Sequence, residues 1–439
     1  MPLRPNVIIL VLDTLREDYS AGLNELSSEL GFVKYSNAIA PSTWTLPSHA
    51  SLFTGLMPSQ HGIHEDRNVG FETIVTEASI REGLASRNES VERGGLIGRL
   101  GGEGYHTYAL TGNTFVLPFF GFPFDVVRLY DDLGEVSEGR WEPRGDRNRL
   151  VQLWWYLKSG SFSVIWRHLV LQRMSRVTPR LFHWFTCEKG TKYIVRDLRK
   201  VQLEEPFLLF VNMMEAHDPY VIGEVNPCRL ITYSMLTGKR SSVHPDWRER
   251  YRSHAEIPVQ GALAAIKALE RYLPRSITIV ASDHGQLLGE KGRYGHGYTL
   301  DDEVLRVPFY VRYPRGTSPL KQSGRFLSLT VVPTIVDAVA NGVELGLGAD
   351  TAAAESFGPI WSLRRFAKNA KEIKLLDAAF VHRIKVYSDS GSATYNESTD
   401  VVEELTGTVS EGEARESIRR LFSGVKPSDR ETPQNRVGP

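Results

Sequence analysis

The sequence predicts an α/β fold in which a mostly parallel sheet lies between layers of helices, followed by a small C-terminal α+β subdomain. Short uncharged apolar runs alternate with longer stretches of helical spacing, which is the pattern of parallel strands joined by helices. From about residue 366 the pattern changes to short alternating strands, typical of an antiparallel sheet. The predicted parallel strands are at about 5–13, 105–111, 206–213 and 276–282.

Composition narrows the classes of function. The chain has 439 residues, with 52 Lys and Arg against 52 Asp and Glu, so its formal net charge is zero. A neutral chain has no global field that would attract nucleic acid, and we expect no nucleic-acid partner. Two cysteines in a chain of this length make no disulfide framework, which agrees with a reducing compartment.

The first apolar run, Asn6–Leu12, is followed at once by Asp13. The run is too short to span a bilayer, and it lacks the small-residue cleavage site of a signal peptide. It is typical of a strand buried on both faces of a parallel sheet. We therefore expect a soluble cytoplasmic protein. Asp13 is predicted at the carboxyl end of a central strand, where open α/β sheets bind ligands.

The stretch 42–55 leads from a loop into helical spacing and places Thr45 near a helix N-terminus. Free backbone N–H groups and the helix dipole favour an anionic ligand at such a position. The Thr45 hydroxyl is therefore a candidate nucleophile for a phosphate or sulfate ester. An ordinary helix cap is the alternative interpretation of an isolated Thr-x-Pro-Ser stretch.

A second polar pair, Asp283 and His284, follows the strand predicted at 276–282, and Gly285 then permits a tight turn. Because the carboxyl ends of parallel strands share one edge of a sheet, four groups from distant parts of the chain can converge there: Asp13, Thr45, Asp283 and His284. Their oxygen and nitrogen donors form a candidate site for one divalent cation, with Thr45 at the open position. The nitrogen ligand favours Mn or Zn, with Ca or Mg as alternatives.

Two stretches resemble the signatures of a known family. Residues 45–50 (Thr-Leu-Pro-Ser-His-Ala), followed by Leu52, Thr54 and Gly55, resemble the sulfatase signature Cys-x-Pro-Ser-Arg-Ala-x-Leu-x-Thr-Gly, and residues 283–308 resemble the second sulfatase signature. Thr45 stands where sulfatases carry the Cys or Ser that becomes formylglycine, and His49 stands where they carry Arg. Because threonine cannot form that aldehyde, the resemblance points to Thr-nucleophile members of the wider alkaline-phosphatase superfamily.

The resemblance also implies roles for further residues. His217, in the stretch His-Asp-Pro-Tyr at 217–220, matches a family His that touches the ester oxygens or the leaving group, and His296 stands where many sulfatases have Lys. With His49, these residues would be catalytic, either by stabilising the ester oxygens or by protonating the leaving alkoxide. A substrate-binding Lys and His of the family are missing after the strand predicted at 105–111. Asn113 is the candidate replacement, with a plain loop Asn as the alternative.

We predict a sulfatase-like catalytic domain over 1–365, a small antiparallel subdomain over 366–425 and a disordered tail over 426–439. Between 145 and 200 the chain is aromatic and basic, which predicts a variable insert of two helices packed on the core. A lid over an anionic substrate, or a surface for peripheral membrane contact, is the alternative interpretation of that insert.

The leading hypothesis for function is a metal-dependent, sulfatase-like hydrolase that cleaves a phosphate, phosphonate or sulfate ester through a Thr45 nucleophile. Two alternatives stay open. One is a transferase that passes the group to a sugar or lipid hydroxyl, and the other is a non-catalytic binding protein on the same fold. The partner expected from any of these is an anionic ester, either a small molecule or a group linked to a glycan or lipid.

Overall fold

The computed structural model describes residues 4–64, 95–118, 121–131, 134–138, 189–220, 227–238, 245–359, 363 and 366–422. Residues 145–188, which form most of the predicted insert, and the predicted tail 426–439 lie outside these ranges. In the part of the chain that the structure describes, no helix is long and apolar enough to cross a membrane.

The described strands, in chain order, are β1 Asn6–Leu12, β2 Val33–Lys34, β3 Ala38–Ile39, β4 His106–Thr111, β5 Val126–Asp131, β6 Gly134–Glu138, β7 Phe207–Met213, β8 Ser276–Ala281, β9 Leu287–Leu288, β10 Tyr294–Gly295, β11 Arg306–Val307, β12 Phe309–Arg312, β13 Lys321–Gln322, β14 Leu327–Ser328, β15 Gly346–Leu347, β16 Ala352–Ser356, β17 Arg383–Ser388, β18 Gly391–Asn396 and β19 Val401–Gly407.

The described α-helices are α1 Asn24–Glu29, α2 Thr45–Thr54, α3 Pro58–His61, α4 Gly95–Gly102, α5 Thr191–Leu198, α6 Pro227–Leu236, α7 Trp247–Ala268, α8 Asp302–Leu305, α9 Val332–Asn341, α10 Ala370–Asp377 and α11 Glu411–Leu421. Short 3-10 turns are at Glu17–Tyr19, Ala21–Leu23, Thr114–Val116, Leu273–Arg275, Glu290–Gly292 and Leu329–Val331.

The large sheet has the strand order β2-β12-β8-β1-β7-β4-β5-β6. Its five central strands, β8, β1, β7, β4 and β5, are parallel to one another. The outer strands β12, β2 and β6 pair antiparallel. The four strands predicted from apolar runs are β1, β4, β7 and β8, and they lie side by side in the order β8-β1-β7-β4. The α/β prediction with a mostly parallel sheet is therefore confirmed.

Helices cover both faces of the sheet because its central strands alternate their side chains between two apolar layers. All seven residues of β1 are buried. Val7, Ile9 and Val11 belong to the layer that also contains residues of α2, α4 and α9. Ile8 and Leu10 belong to the opposite layer, which contains residues of α1, α5 and α7. The sheet is thus a rigid platform whose carboxyl edge can hold polar groups in fixed positions.

The C-terminal subdomain is a four-stranded antiparallel sheet of order β16-β17-β18-β19. Its apolar side is built from Ala353, Ile384, Val386 and Ala393, and Ala414 of α11 packs against them. The short alternating strands predicted beyond residue 366 include β17 and β18, which form a hairpin. The first strand of this sheet, Ala352–Ser356, lies before the boundary predicted at 366. It also pairs with the loop before α2, through a parallel bridge between Ser42 and Glu355.

Candidate active site

Asp13 follows β1 at the centre of the large sheet, and its side chain is completely buried. The backbone N–H of Asp13 donates to the carbonyl of Met213 on the neighbouring strand (2.9 Å), which continues the parallel ladder by one residue. The chain then turns sharply at Thr14, whose φ is 60°. This left-handed conformation is rare for a β-branched residue, and it sets the direction of the Asp13 carboxylate at the sheet edge.

Thr45 is the first residue of α2. The preceding Trp44 is extended (φ −160°, ψ 168°), and Pro47 occupies the first turn, where a missing N–H costs no helical hydrogen bond. Gly55 ends the helix with φ 75°. The Thr45 hydroxyl Oγ1 lies 3.5 Å from Asp13 Oδ2 and 3.4 Å from His284 Nε2. The start of α2 therefore presents a hydroxyl directly to the groups at the sheet edge.

Asp283 and His284 follow β8 and are both completely buried. Asp283 Oδ1 accepts from the backbone N–H of Thr14 (3.2 Å) and of His284 (3.0 Å). His284 Nδ1–H donates to the carbonyl of Gly285 (3.0 Å), so its Nε2 carries the lone pair. That nitrogen lies 3.4 Å from Asp283 Oδ2 and 4.0 Å from Asp13 Oδ1. The imidazole is thereby oriented as a metal ligand.

Asp13, Asp283 and His284 are suited to hold a cation. One ligand atom from each lies within 4.8 Å of the others. Among the described residues, Asp13 Oδ1 and Asp283 Oδ2 are buried without a hydrogen-bond partner. Buried carboxylate oxygens without donors are strongly disfavoured unless a cation or a proton satisfies them. The donor set of two carboxylates, one imidazole and one hydroxyl therefore fits a divalent metal ion.

The ionisation behaviour of the group agrees with this interpretation. Burial, and after it the negative charge of Asp283, raises the pKa of Asp13 to about 6. Burial raises the pKa of Asp283 to about 7. Burial lowers the pKa of His284 to about 4, so the ring is neutral and able to ligate near neutral pH. A bound cation would therefore stabilise these two desolvated carboxylates, which lie beside a neutral imidazole.

Asn113 follows β4 and reaches the same place. Its side-chain amide donates to Asp13 Oδ2 (2.7 Å) and lies 3.5 Å from Thr45 Oγ1. Its Oδ1 accepts from the backbone N–H of Phe115 (2.8 Å), which fixes the orientation of the amide. The residue predicted to bind substrate is thus in contact with both the candidate nucleophile and a candidate metal ligand.

His49 lies one turn after Thr45 in α2 and is completely buried. Its Nδ1–H donates to the Thr45 carbonyl (2.9 Å) and is 3.5 Å from Asp283 Oδ2, while the ring packs edge-on against Phe210 at 5.6 Å. Burial lowers the pKa of His49 to about 3. The contacts of His49 orient the start of the helix, rather than exposing the ring to a substrate.

A second group adjoins the first and contains His217, Asp218 and His296, with one ligand atom of each within 4.8 Å of the others. The His296 ring lies 4.9 Å from the His217 ring and 4.6 Å from the His284 ring. Gln286 Oε1 accepts from His296 Nδ1–H (2.5 Å). His217 is the more exposed of the two histidines, with 21% of its side chain accessible. It is therefore placed where a leaving group could reach it.

Comparison with known proteins decides the family. The sulfatase family model matches residues 5–341 of this chain. The chain belongs to the sulfatase family. A curated relative in Haloferax volcanii, the low-salt glycan biosynthesis sulfotransferase Agl7, is 31% identical over 180 residues. That match covers 37% of this chain and 42% of Agl7, so this chain spans less than half the length of that relative.

Solved structures share the fold of this sulfatase-family protein. A 2-O GAG sulfatase superposes with a TM-score of 0.59 at 13% identity, covering 96% of this chain and 93% of that one. The phosphonate monoester hydrolase of Agrobacterium radiobacter superposes with a TM-score of 0.53 at 15% identity, covering 95% and 94%. At these identities the likeness concerns the fold alone.

Every residue that the sequence nominated for the site lies in one of the two adjoining groups of this sulfatase-family protein. The first contains Asp13, Thr45, His49, Asn113, Asp283 and His284, and the second contains His217 and His296. Sequence reasoning missed Asp218 and Gln286, which contact the two histidines. Each of the two closely follows a predicted site residue in the sequence. A polar residue just after the end of a strand was therefore the signal that could have identified them.

Proposed function

We propose that this protein is a metal-dependent hydrolase that cleaves a phosphate, phosphonate or sulfate ester through a covalent intermediate on Thr45. The observation that carries the proposal is the position of Thr45 Oγ1, within 3.5 Å of Asp13 and His284 at the start of α2. A hydroxyl beside a cation site and a helix N-terminus is where an anionic ester would be both bound and attacked.

In the proposed first step, the Thr45 hydroxyl gives up its proton to solvent as Oγ1 attacks the phosphorus or sulfur atom, the bond to the ester oxygen breaks, and the leaving alkoxide takes up a proton from His217 or His296. In the second step, water attacks the same atom and releases Thr45 with its hydroxyl restored. A divalent ion held by Asp13, Asp283 and His284 would lower the pKa of the Thr45 hydroxyl and neutralise ester oxygens. Burial of these ligands keeps bulk water away and strengthens each electrostatic contact.

The second group supplies the proposed acid and hydrogen-bond donors. His217 is partly exposed and His296 lies between it and His284, so both can face the ester oxygens and the leaving group. Asn113, already fixed by its bond to Phe115 N–H, would donate to a non-bridging oxygen. His49 would act through Thr45 and Asp283, because its ring is buried against both.

We propose one resident divalent ion, with Mn or Zn favoured by the imidazole ligand and Ca or Mg as alternatives. Phosphate and phosphonate esters are the favoured substrates. Threonine cannot form the hydrated aldehyde that lets formylglycine sulfatases release bound sulfate, so sulfate esters should turn over less well. A cytoplasmic location and a glycan-linked or lipid-linked substrate remain predictions.

A transferase is the second candidate, and one finding favours it. The relative Agl7 is named as a sulfotransferase of glycan biosynthesis, and it is 31% identical to part of this chain. In a transferase the second step would use a sugar or lipid hydroxyl in place of water. A non-catalytic binding protein would require a site that binds metal poorly, which the orphaned oxygens of Asp13 and Asp283 argue against.

The test compares nitrophenyl phosphate, phosphodiester, phosphonate and sulfate side by side, with Mn, Zn, Ca and Mg each added to metal-free protein. We expect metal-dependent turnover that is highest for a phosphorus ester. Added acceptor alcohols separate the candidates, since a transferase forms alkyl ester product at the expense of free phosphate or phosphonate. Metal binding without turnover of any ester or transfer to any acceptor would contradict both catalytic proposals.

A further inference from the structure

Glu355 links the C-terminal sheet to the loop that carries Thr45. Its backbone N–H donates to the carbonyl of Pro41 (2.9 Å), and its carbonyl accepts from Ser42 Oγ (2.9 Å). Its completely buried carboxylate accepts from the backbone N–H of Ser59 through Oε2 (2.8 Å). One residue of β16 therefore holds both the segment before α2 and the segment after it.

His382 completes the buried charge network around Glu355. Its Nε2 lies 2.9 Å from Glu355 Oε1, and its Nδ1 pairs with Glu397. Both ring nitrogens face carboxylates, so both are donors and the ring is an imidazolium. The ring also stacks on Phe357 at 4.1 Å, and His64 stacks on the other side of Phe357 at 3.7 Å.

Hydrogen bonds connect this network to the loop and the helix that carry Thr45. Ser42 Oγ donates to Glu355, while the carbonyl of Ser42 accepts from Ser48 Oγ (3.2 Å) in the first turns of α2. Thr45 lies between these two serines. At the other end of α2, Ser51 Oγ and His61 Nε2 are 3.0 Å apart, so α3 is tied to α2 as well. The network therefore holds the loop before Thr45 and the turn after its helix at once.

We propose that Glu355 and His382 are positioning residues for Thr45, and that they aim its hydroxyl at Asp13 and His284 from the C-terminal sheet. The expected effect on kcat rests on the proposed function, whereas the expected effect on hydrogen exchange of the loop does not. A displacement of about 1 Å at a reacting group can lower the rate by on the order of a hundredfold. Contacts that hold the loop before Thr45 in place should therefore affect kcat. Both carboxylate oxygens of Glu355 and both ring nitrogens of His382 are paired, and paired buried polar groups can specify one conformation.

The stability of the network depends on pH through the charge of His382. Burial acts to lower the pKa of His382, but its hydrogen bonds to Glu355 and Glu397 outweigh burial and raise the pKa to about 9. The groups facing the ring are Glu355 from β16, Glu397 from the turn after β18, and His64 beyond Phe357. Because the folded-state pKa is raised, the stabilising effect is complete below about pH 6.5 and is lost as pH rises through about 9.

The test compares His382→Gln with two other variants of the full chain. His382→Arg keeps a positive charge between the two carboxylates, and Val386→Ala weakens the apolar side of the same sheet without touching the network. The readouts are amide hydrogen exchange of peptides covering 41–64, bound metal per chain, and kcat and KM on the best ester. All are measured at about pH 7 and at several values up to about pH 10.

We expect His382→Gln to speed exchange in 41–64 and to lower kcat by roughly tenfold to a hundredfold, with KM and bound metal little changed. His382→Arg should restore most of the kcat and remove the loss of activity that we expect of wild type above about pH 9. The inference is overturned if His382→Gln leaves exchange in 41–64 and kcat unaltered, or if Val386→Ala matches it in both. If wild type turns over no ester, the proposed function fails while hydrogen exchange still decides the inference.

Discussion

At the scale of single residues, the site is defined by charges that are removed from water. Asp13, Asp283 and His284 are all completely buried, and the two carboxylates each keep one oxygen without a partner among the described residues. The free energy of burying a carboxylate is recovered only by a proton, a donor or a cation. A divalent ion would offset most of this free energy, and we therefore propose that these residues bind a metal ion.

Asp283→Asn tests the assignment directly. The variant keeps the shape of the side chain but removes one charge from the ligand group, so we expect metal affinity to fall by roughly a hundredfold or more and turnover to be lost. The measurement is metal content after dialysis against a buffered metal series, with circular dichroism to confirm the fold. Asp218→Asn is the matched control from the adjoining group and should keep the ion. Equal metal content in wild type and Asp283→Asn would show that the ion is held elsewhere.

The pKa of Asp283 predicts a pH dependence of stability in metal-free protein. Burial raises this pKa from 3.8 to about 7, so the folded state binds the proton more tightly than the unfolded chain does. Ionisation therefore destabilises the folded state as pH rises from about 4 to about 7. Across that range we expect metal-free wild type to lose melting temperature relative to metal-free Asp283→Asn.

Calorimetry of both metal-free proteins at several pH values measures this difference, in which the titrating groups other than Asp283 and the neighbouring Asp13 largely cancel. Saturating Mn or Zn should remove the pH dependence for wild type, because the ion replaces the proton. A difference in melting temperature that is constant between about pH 4 and 7 would contradict the described burial of Asp283.

At the scale of elements, the turn after β8 depends on a close approach of two backbones. A Cβ on Gly285 would lie 2.1 Å from the carbonyl oxygen of Glu303 and 3.0 Å from Arg16 Cγ. The N–H of Gly285 also donates to the Val304 carbonyl (2.7 Å), so the turn cannot move away without losing this bond. Glycine at this position therefore allows Asp283 and His284 to sit at the sheet edge.

Gly285→Ala should destabilise the protein by about 1–3 kcal/mol, since the added methyl group overpacks against backbone. It should also weaken metal binding, because the clash moves the two ligands that precede it. The measurement is urea unfolding together with metal titration. Gly101→Ala in α4 is the control, with its nearest neighbour 4.0 Å away, and should be neutral or stabilising by about 0.5–1 kcal/mol. Equal stability of the two variants would contradict the close approach.

The strands and helices differ in how well their positions can be predicted from their own sequences. The apolar runs at β1, β7 and β8 are buried along their whole length, and such runs are identifiable without tertiary information. The apolar spacing of the sequence predicts a helix only from Ile257 to Leu273, whereas α7 begins at Trp247 and ends at Ala268. Pro258 lies inside α7 and its missing N–H concealed the continuity, because proline normally ends a helix.

At the scale of the whole molecule, the parallel sheet accounts for why the site could be predicted in part. Residues that follow buried parallel strands must meet at one edge, so Asp13, Asp283 and His284 could be grouped from their positions alone. The role of β16 could not be predicted in the same way. Glu355, which is paired with His382, meets Ser42 only through the docking of the C-terminal sheet, and nothing in its local sequence indicates that contact. Pairings between distant elements are decided by packing, which the sequence pattern does not reveal.

The proposed reaction depends most on Thr45 as the nucleophile. Thr45→Ala removes the hydroxyl and leaves the three stronger metal ligands, so bound metal should fall only modestly. Turnover should fall by roughly a thousandfold or more, since the remaining groups then have no covalent acceptor. Thr45→Ser should keep part of the activity, because it loses only a methyl group. Thr43→Ala removes another completely buried hydroxyl two residues away and is the matched control.

The most direct single measurement is turnover of the best ester by Thr45→Ala beside wild type, Thr45→Ser and Thr43→Ala, with rapid quenching and mass analysis of the peptide that contains Thr45. We expect wild type to accumulate the transferred group on Thr45, Thr43→Ala to behave like wild type, and Thr45→Ala to be inactive and unlabelled while still binding metal. Wild-type turnover by Thr45→Ala would contradict a Thr45 nucleophile, because attack would then come from water without a covalent intermediate.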